Sequence, residues 1–131
     1  MFLNYFSNKK RNKIFKRSEI LGQISANSKC IAVAGTHGKT STTAILSHLL
    51  YSNQVKFRSF VGGIMKGFDS NYISTGDEYV IIEADEYDRS FLALDPDYSL
   101  ITSIEKDHLD VYDDLESILT SFGIFCDKTK K

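Results

Sequence analysis

Apolar residues in this chain alternate between short unbroken runs and stretches with helical spacing. A run over 29–34 predicts a strand, and Ile45, Leu46, Leu49 and Leu50 at i, i+1, i+4 and i+5 predict one stripe of a helix over 39–51. A second strand is expected over 55–61, and strand, loop, helix, strand is a βαβ unit with parallel strands. Gly62, Gly63 and the stretch 66–71 are rich in turn formers and are read as a surface loop. Residues 78–83 predict a third strand, apolar enough to be buried on both faces, and 97–103 a fourth. Ser18 is read as the N-cap of a short helix over 18–27 carrying Ile20, Leu21 and Ile24. Val111, Leu115, Ile118, Leu119, Phe122 and Phe125 keep a helical period and predict a closing helix. Strands alternating with helices give an α/β fold: a P-loop-type parallel sheet flanked by helices.

Composition narrows this only slightly. With 131 residues, 42% hydrophobic and 25% charged, the chain suits one domain. A formal net charge of −1 gives no bias toward nucleic acid or membrane. The charges are unevenly placed, however. Residues 1–17 carry six basic side chains (Lys9, Lys10, Arg11, Lys13, Lys16, Arg17) and no acid, whereas residues 83–114 hold eleven of the seventeen acids. The first segment reads as a solvated basic leader and 18–131 as the domain. The acidic block is where a cation would sit. Cys30 and Cys126 are too few for a disulfide framework and read as small buried hydrophobes, in keeping with a cytoplasmic protein. No apolar run approaches the length of a membrane span.

The chemistry concentrates after the first strand, in Gly35-Thr36-His37-Gly38-Lys39-Thr40-Ser41. Small residues there let backbone N–H groups converge on phosphate oxygens, the following helix adds its positive end, and Lys39 adds a full charge. Thr40 is placed to offer its hydroxyl to magnesium. The strict pattern G-x-x-x-x-G-K-[ST] is broken at Val33, and Gly35 takes the tight-turn role. In an open parallel sheet, ligands bind at the carboxyl ends of the strands. The loop, Glu83 at the end of the third strand and His108 beyond the fourth all fall there. Magnesium prefers oxygen ligands and bridges carboxylate to phosphate, so Thr40 and Glu83 pair naturally, while His108 is a less typical ligand. Asp85, Glu86 and Asp88 read as a solvated turn, with room for one of them to support the site from behind its direct ligands, His48 as structural, and His37 as either a phosphate contact or a shaper of the loop. The tyrosines read as packing residues, with Tyr87 close to the expected metal.

Three motifs carry a family resemblance. Ala34-Gly-Thr-His-Gly-Lys-Thr-Ser-Thr-Thr43, Glu83-Ala-Asp-Glu-Tyr-Asp-Arg-Ser-Phe91 and Asp107-His108-Leu109-Asp110 together resemble the central ATPase domain of the Mur ligases. Gly62, Gly63 and Asn71 also stand where such sequences have a Gly-Gly and an Asn. The resemblance runs from about Phe15 to about Phe125 and accounts for Val33, since this family's loop normally lacks the first glycine. It implies ATP and Mg2+ as cofactors, with Lys39 on the β- and γ-phosphates, Thr40 and Glu83 on one magnesium and His108 on a second. It further implies peptidoglycan precursor synthesis from UDP-N-acetylmuramate and L-alanine. In that reaction the lactyl carboxylate attacks the γ-phosphate and the amine attacks the resulting acyl phosphate. Residues 89–94 and Pro96 incline toward the alanine-adding branch over the branch that reattaches recycled peptide. Ser103 stands where many relatives have Asn, so no role of that Asn is carried over. Relatives also have a UDP-binding domain before this region and an amino-acid-binding domain after it. The expectation is therefore a truncated or split ligase with an unpaired sheet edge that favours aggregation or a partner, such as a second chain supplying the missing domains. The alternative from a different class is a non-catalytic nucleotide-binding fragment.

Overall fold

A computed structural model describes residues 13–105 and 114–130. Its elements in chain order are α1 (Arg17–Ala26), β1 (Lys29–Ala34), α2 (Lys39–Ser52), β2 (Phe57–Met65), β3 (Ser70–Ser74), β4 (Tyr79–Glu83), a 3-10 helix (Tyr87–Ala93), β5 (Tyr98–Ile101) and α3 (Leu115–Asp127). The five strands form one sheet in the order β3-β2-β4-β1-β5. All neighbours are parallel except β2 and β3, which pair antiparallel.

The strand read as buried on both faces is the centre of this sheet. Val80, Ile81 and Ile82 are fully buried between β2 and β1, and their β-branched side chains fill both apolar layers. One layer lies under α1, α3 and the 3-10 helix, with Leu21, Phe91, Phe122 and Phe125 among its members. The other lies under α2 and joins Val33, Phe57, Val61 and Ile81, with Leu46 and Leu50 packed against it. Burying each such side chain contributes about 1.5–3 kcal/mol, which is what fixes the strand order around β4.

The structure corrects several expectations. The N-cap of α1 is Lys16, not Ser18; its backbone N–H donates to the Glu19 carboxylate at 2.7 Å. The expected leader lies outside the described residues up to position 12, and residue Arg17 already opens α1. Helix α2 forms where predicted, but Ile45 and Leu49 are exposed and its buried face is Thr43 and Ser47. Those hydroxyls are satisfied internally: Thr43 donates to the Lys39 carbonyl at 2.8 Å, and Ser47 to the Thr43 carbonyl at 2.7 Å. The helix thus packs closely on β2, where the Ser47 and Ser59 hydroxyls meet at 2.7 Å. The stretch 62–71 is not one loop. β2 runs through Gly62 and Gly63, and after a turn at 66–69 the chain returns as the edge strand β3. In α3, Ile118, Phe122 and Phe125 are buried as the period requires, whereas Leu115 and Leu119 face outward. Cys30 is buried but Cys126 is exposed, so only one cysteine acts as a core residue.

Candidate functional site

The site is built at the carboxyl ends of β1 and β4, which are adjacent in the sheet. Val33 is in register with Glu83, and the Ala84 N–H donates to the Val33 carbonyl at 2.8 Å. From β1 the chain enters the loop Gly35–Gly38. Gly38, at φ +81°, is the N-cap of α2, a conformation that side-chain-bearing residues rarely adopt. The loop is stitched to the segment after β5. The Thr36 N–H donates to the Ser103 carbonyl at 2.9 Å, and the His37 N–H to the Ser103 hydroxyl at 3.1 Å. Thr36 in turn accepts from the Glu105 N–H at 2.9 Å. Ser103, to which no role was carried over, is thus an anchor of the loop. Of the two readings of His37, the structure shows an exposed ring whose Nε2 lies 3.7 Å from Glu105 Oε2 and a backbone tied into the loop.

Lys39 and Thr40 are the first residues of α2, where backbone N–H groups lack intrahelical partners and the dipole favours an anion. Ser41 follows on the exposed side of the same turn. The Thr40 hydroxyl donates to Glu83 Oε1 at 2.7 Å, while the Gly62 N–H donates to Glu83 Oε2 at 2.6 Å. A β-carbon on Gly62 would lie 2.9 Å from Glu83 Oε1, so glycine at this strand position lets the carboxylate reach the backbone. Sequence reading assigned Gly62 to a turn; its role is close approach.

Lys39 is not extended into solvent. Its Nζ donates to the Gly35 carbonyl at 2.6 Å and to Glu86 Oε1 and Oε2 at 3.0 and 2.7 Å. Glu86 is therefore no solvated turn residue: its side chain is only 3% exposed and forms a buried ion pair with the loop lysine. Sequence reasoning left room for one of Asp85, Glu86 and Asp88 behind the site but did not single out Glu86, whose signal was its place three residues after Glu83 in the motif over 83–91. Asp85 and Tyr87 remain exposed, and a cleft of about 280 Å³ beside them is lined by Glu83, Asp85, Tyr87, Arg17 and Phe91.

The structure thus brings together Gly35, Thr36, His37, Gly38, Lys39, Thr40 and Ser41 with Glu83. His108 lies outside the described residues, as do Asp107 and Asp110. Among the described residues, no three His, Cys, Asp or Glu side chains converge as a metal cage. A hydroxyl and a carboxylate 2.7 Å apart nevertheless form a hard-oxygen pair, the kind of partial ligand set that magnesium completes with phosphate and water. His48 is structural as expected, its Nε2 within 2.9 Å of the Lys66 carbonyl and its ring against Phe68.

Comparison with known proteins identifies the family and the fold. Residues 33–131 match the family described as the Mur ligase middle domain. The UDP-N-acetylmuramate–L-alanine ligase of Christiangramia forsetii is 50% identical over 123 residues, which is 94% of this chain and 27% of that protein. The chain therefore spans about a quarter of the length of the curated relatives it matches. Among solved structures, the UDP-N-acetylmuramate-alanine ligase of Thermotoga maritima superposes with a TM-score of 0.74 at 32% identity, covering 86% of this chain and 26% of that one. The UDP-N-acetylmuramate:L-alanyl-gamma-D-glutamyl-meso-diaminopimelate ligase of Neisseria meningitides gives 0.75 at 26% identity, covering 86% and 40%.

Proposed function

The chain belongs to the Mur ligase family through its middle domain, and on that premise we propose that it is the nucleotide-binding part of an ATP-dependent ligase that joins L-alanine to UDP-N-acetylmuramate. The observation that carries this reading is the meeting of Lys39, Thr40 and Glu83 at the mouth of β1 and β4, with Thr40 and Glu83 2.7 Å apart. The name borne by the Christiangramia forsetii relative supports the choice of substrates.

In this reading the triphosphate lies across the N-terminus of α2. Backbone N–H groups of its first turn donate to the phosphate oxygens, and Lys39 neutralises the β- and γ-phosphates. Thr40 and Glu83 hold magnesium, which when bound supplies charge neutralisation between two anionic reactants. By the family resemblance, His108 would help hold a second magnesium. The lactyl carboxylate attacks the γ-phosphorus, the bond to the bridging oxygen breaks and ADP leaves. The L-alanine amine then attacks the acyl carbon and expels phosphate, leaving the amide. The chain's own contribution is positioning and charge, in the cytoplasmic steps of peptidoglycan precursor synthesis.

Melting of the chain with and without Mg-ATP tests the nucleotide half. At a nucleotide concentration of about a hundred times Kd the folded state gains about 2.7 kcal/mol, seen as a rise of several degrees in Tm. No shift at millimolar Mg-ATP would overturn it. The specificity half is read by supplying UDP-N-acetylmuramate and ATP with either L-alanine or the tripeptide named for the Neisseria enzyme. Product with L-alanine supports the assignment, and product only with the tripeptide moves the chain to the recycling branch.

A further inference from the structure

We propose that Glu86 is a positioning residue for Lys39: it holds the lysine in a closed, carboxylate-bound position, and nucleotide binds by exchanging that carboxylate for phosphate. The inference rests on the nucleotide reading above and adds a residue that sets the affinity of the same site.

The geometry of the lysine carries it. An ammonium has three N–H donors. Four acceptor oxygens already surround Lys39 Nζ: the Gly35 carbonyl at 2.6 Å, the Thr36 carbonyl at 3.4 Å, and Glu86 Oε1 and Oε2 at 3.0 and 2.7 Å. A phosphate oxygen gains a bond to Nζ only if one of these is given up. The pair is well shielded, with the two side chains 14% and 3% exposed, so its attraction is stronger than that of a surface ion pair.

The backbone that carries Glu86 is also held from its own side. Glu86 precedes the 3-10 helix Tyr87–Ala93, its carbonyl accepts from the Arg89 N–H at 3.0 Å, and the Phe91 N–H reaches back to the Asp85 carbonyl at 2.8 Å. The turn thus keeps the Glu86 backbone beside the loop through bonds that do not involve Lys39. Glu83, three residues earlier, points instead to Thr40 and Gly62. The two glutamates of one short acidic stretch thus divide the work: one faces the hard-oxygen pair and the other restrains the cation.

Glu86→Gln keeps the shape and one accepting oxygen but removes the charge. It is expected to lower the unliganded Tm, because it weakens a buried pair, and to tighten ATP binding roughly fivefold, because the lysine is released more easily. A purely structural glutamate would lower stability and affinity together. Acetylation of the unliganded chain, mapped to Lys39 by peptide mass, separates release of the lysine from simple repulsion between Glu86 and phosphate. Lys39 should react slowly in the unaltered chain and several-fold faster in Glu86→Gln. Glu86→Asp, which keeps the charge but shortens its reach, should show the same direction and serves if Glu86→Gln does not fold. Equal Lys39 reactivity, or ATP affinity that is unchanged or weaker, overturns the proposal while leaving the nucleotide site standing. Failure of the unaltered chain to bind ATP overturns both.

Discussion

The two ends of the parallel sheet use the same chemical groups to opposite effect. At the amino end, Asp97 accepts a hydrogen bond from the backbone N–H of the fully buried Cys30 at 2.7 Å, and Lys130 approaches Asp97 Oδ1 at 3.4 Å. The Asp97 N–H returns a bond to the Cys30 carbonyl at 2.9 Å, closing a ring between the starts of β1 and β5. At the carboxyl end, Glu83 and Glu86 also pair with a hydroxyl and an ammonium, but on side chains that stand at a loop and a helix start. Asp97 is tied in both directions to the backbone of buried Cys30, with the half-exposed Lys130 only adding to it, and is a fixed part of the fold. Glu83 is anchored by the Gly62 N–H on one oxygen, but its other oxygen meets the Thr40 hydroxyl, and Glu86 meets Lys39; these side-chain partners can be traded for a ligand.

The sharpest way to break this contrast is at the amino end. Asp97→Ala leaves the buried Cys30 N–H without its acceptor and should destabilise the chain by about 1–3 kcal/mol in urea unfolding. ATP affinity, measured on the folded chain, should not change. A parallel loss of affinity would erase the distinction between the two ends.

Gly62→Ala strikes the other end with a smaller effect on stability. The added methyl would press on Glu83, whose carboxylate approaches to within 2.9 Å of that position. Overpacking of this kind costs about 1–3 kcal/mol where the neighbour cannot move, and less here because Glu83 can swing into the cleft. The expected signature is a selective loss of the Mg2+-dependent part of ATP binding, seen by titrating ATP with Mg2+ and with a chelator. Retained Mg2+ dependence would remove Glu83 from the metal site.

The smallest effect concerns the cysteines. Burial, reinforced by the Asp97 carboxylate, pushes the Cys30 thiol from its ordinary value of 9.0 up to about 12. The folded chain therefore favours the neutral thiol. Its contribution to stability is complete below pH 9 and is lost as pH rises toward 12. At pH 8 a maleimide should label exposed Cys126 and spare Cys30, and Asp97→Ala should speed labelling of Cys30 by loosening the start of β1.

The sequence made the carboxyl end partly legible because its chemistry is local. Gly35, Gly38, Lys39 and Thr40 lie within one loop, and a carboxylate ending the apolar run Val80-Ile81-Ile82 stands out against its neighbours. The family resemblance carried by these motifs held when the chain was compared with known proteins. What sequence could not supply were relations made across the sheet. Gly62 looks like a turn residue until Glu83 is seen beside it on the neighbouring strand. Glu86 looks solvated within a hydrophilic run until the 3-10 helix turns it under the loop. β3 is short, polar and at an edge, so Ser70–Ser74 lacks the apolar alternation that marks a strand. The outer half of the predicted α2 stripe failed because the helix sits close to β2 on small hydroxyl side chains, a packing that hydrophobic period alone does not encode.

The claim on which the rest depends is that Lys39 is the cation of a nucleotide-phosphate site. Calorimetric titration of Mg-ATP into the unaltered chain and into Lys39→Met tests it most directly. Saturable binding in the first, weakened about a hundredfold or more in the second, is the predicted result, since a charge-assisted contact to phosphate of about 3 kcal/mol is removed. Equal binding by the two chains would contradict it.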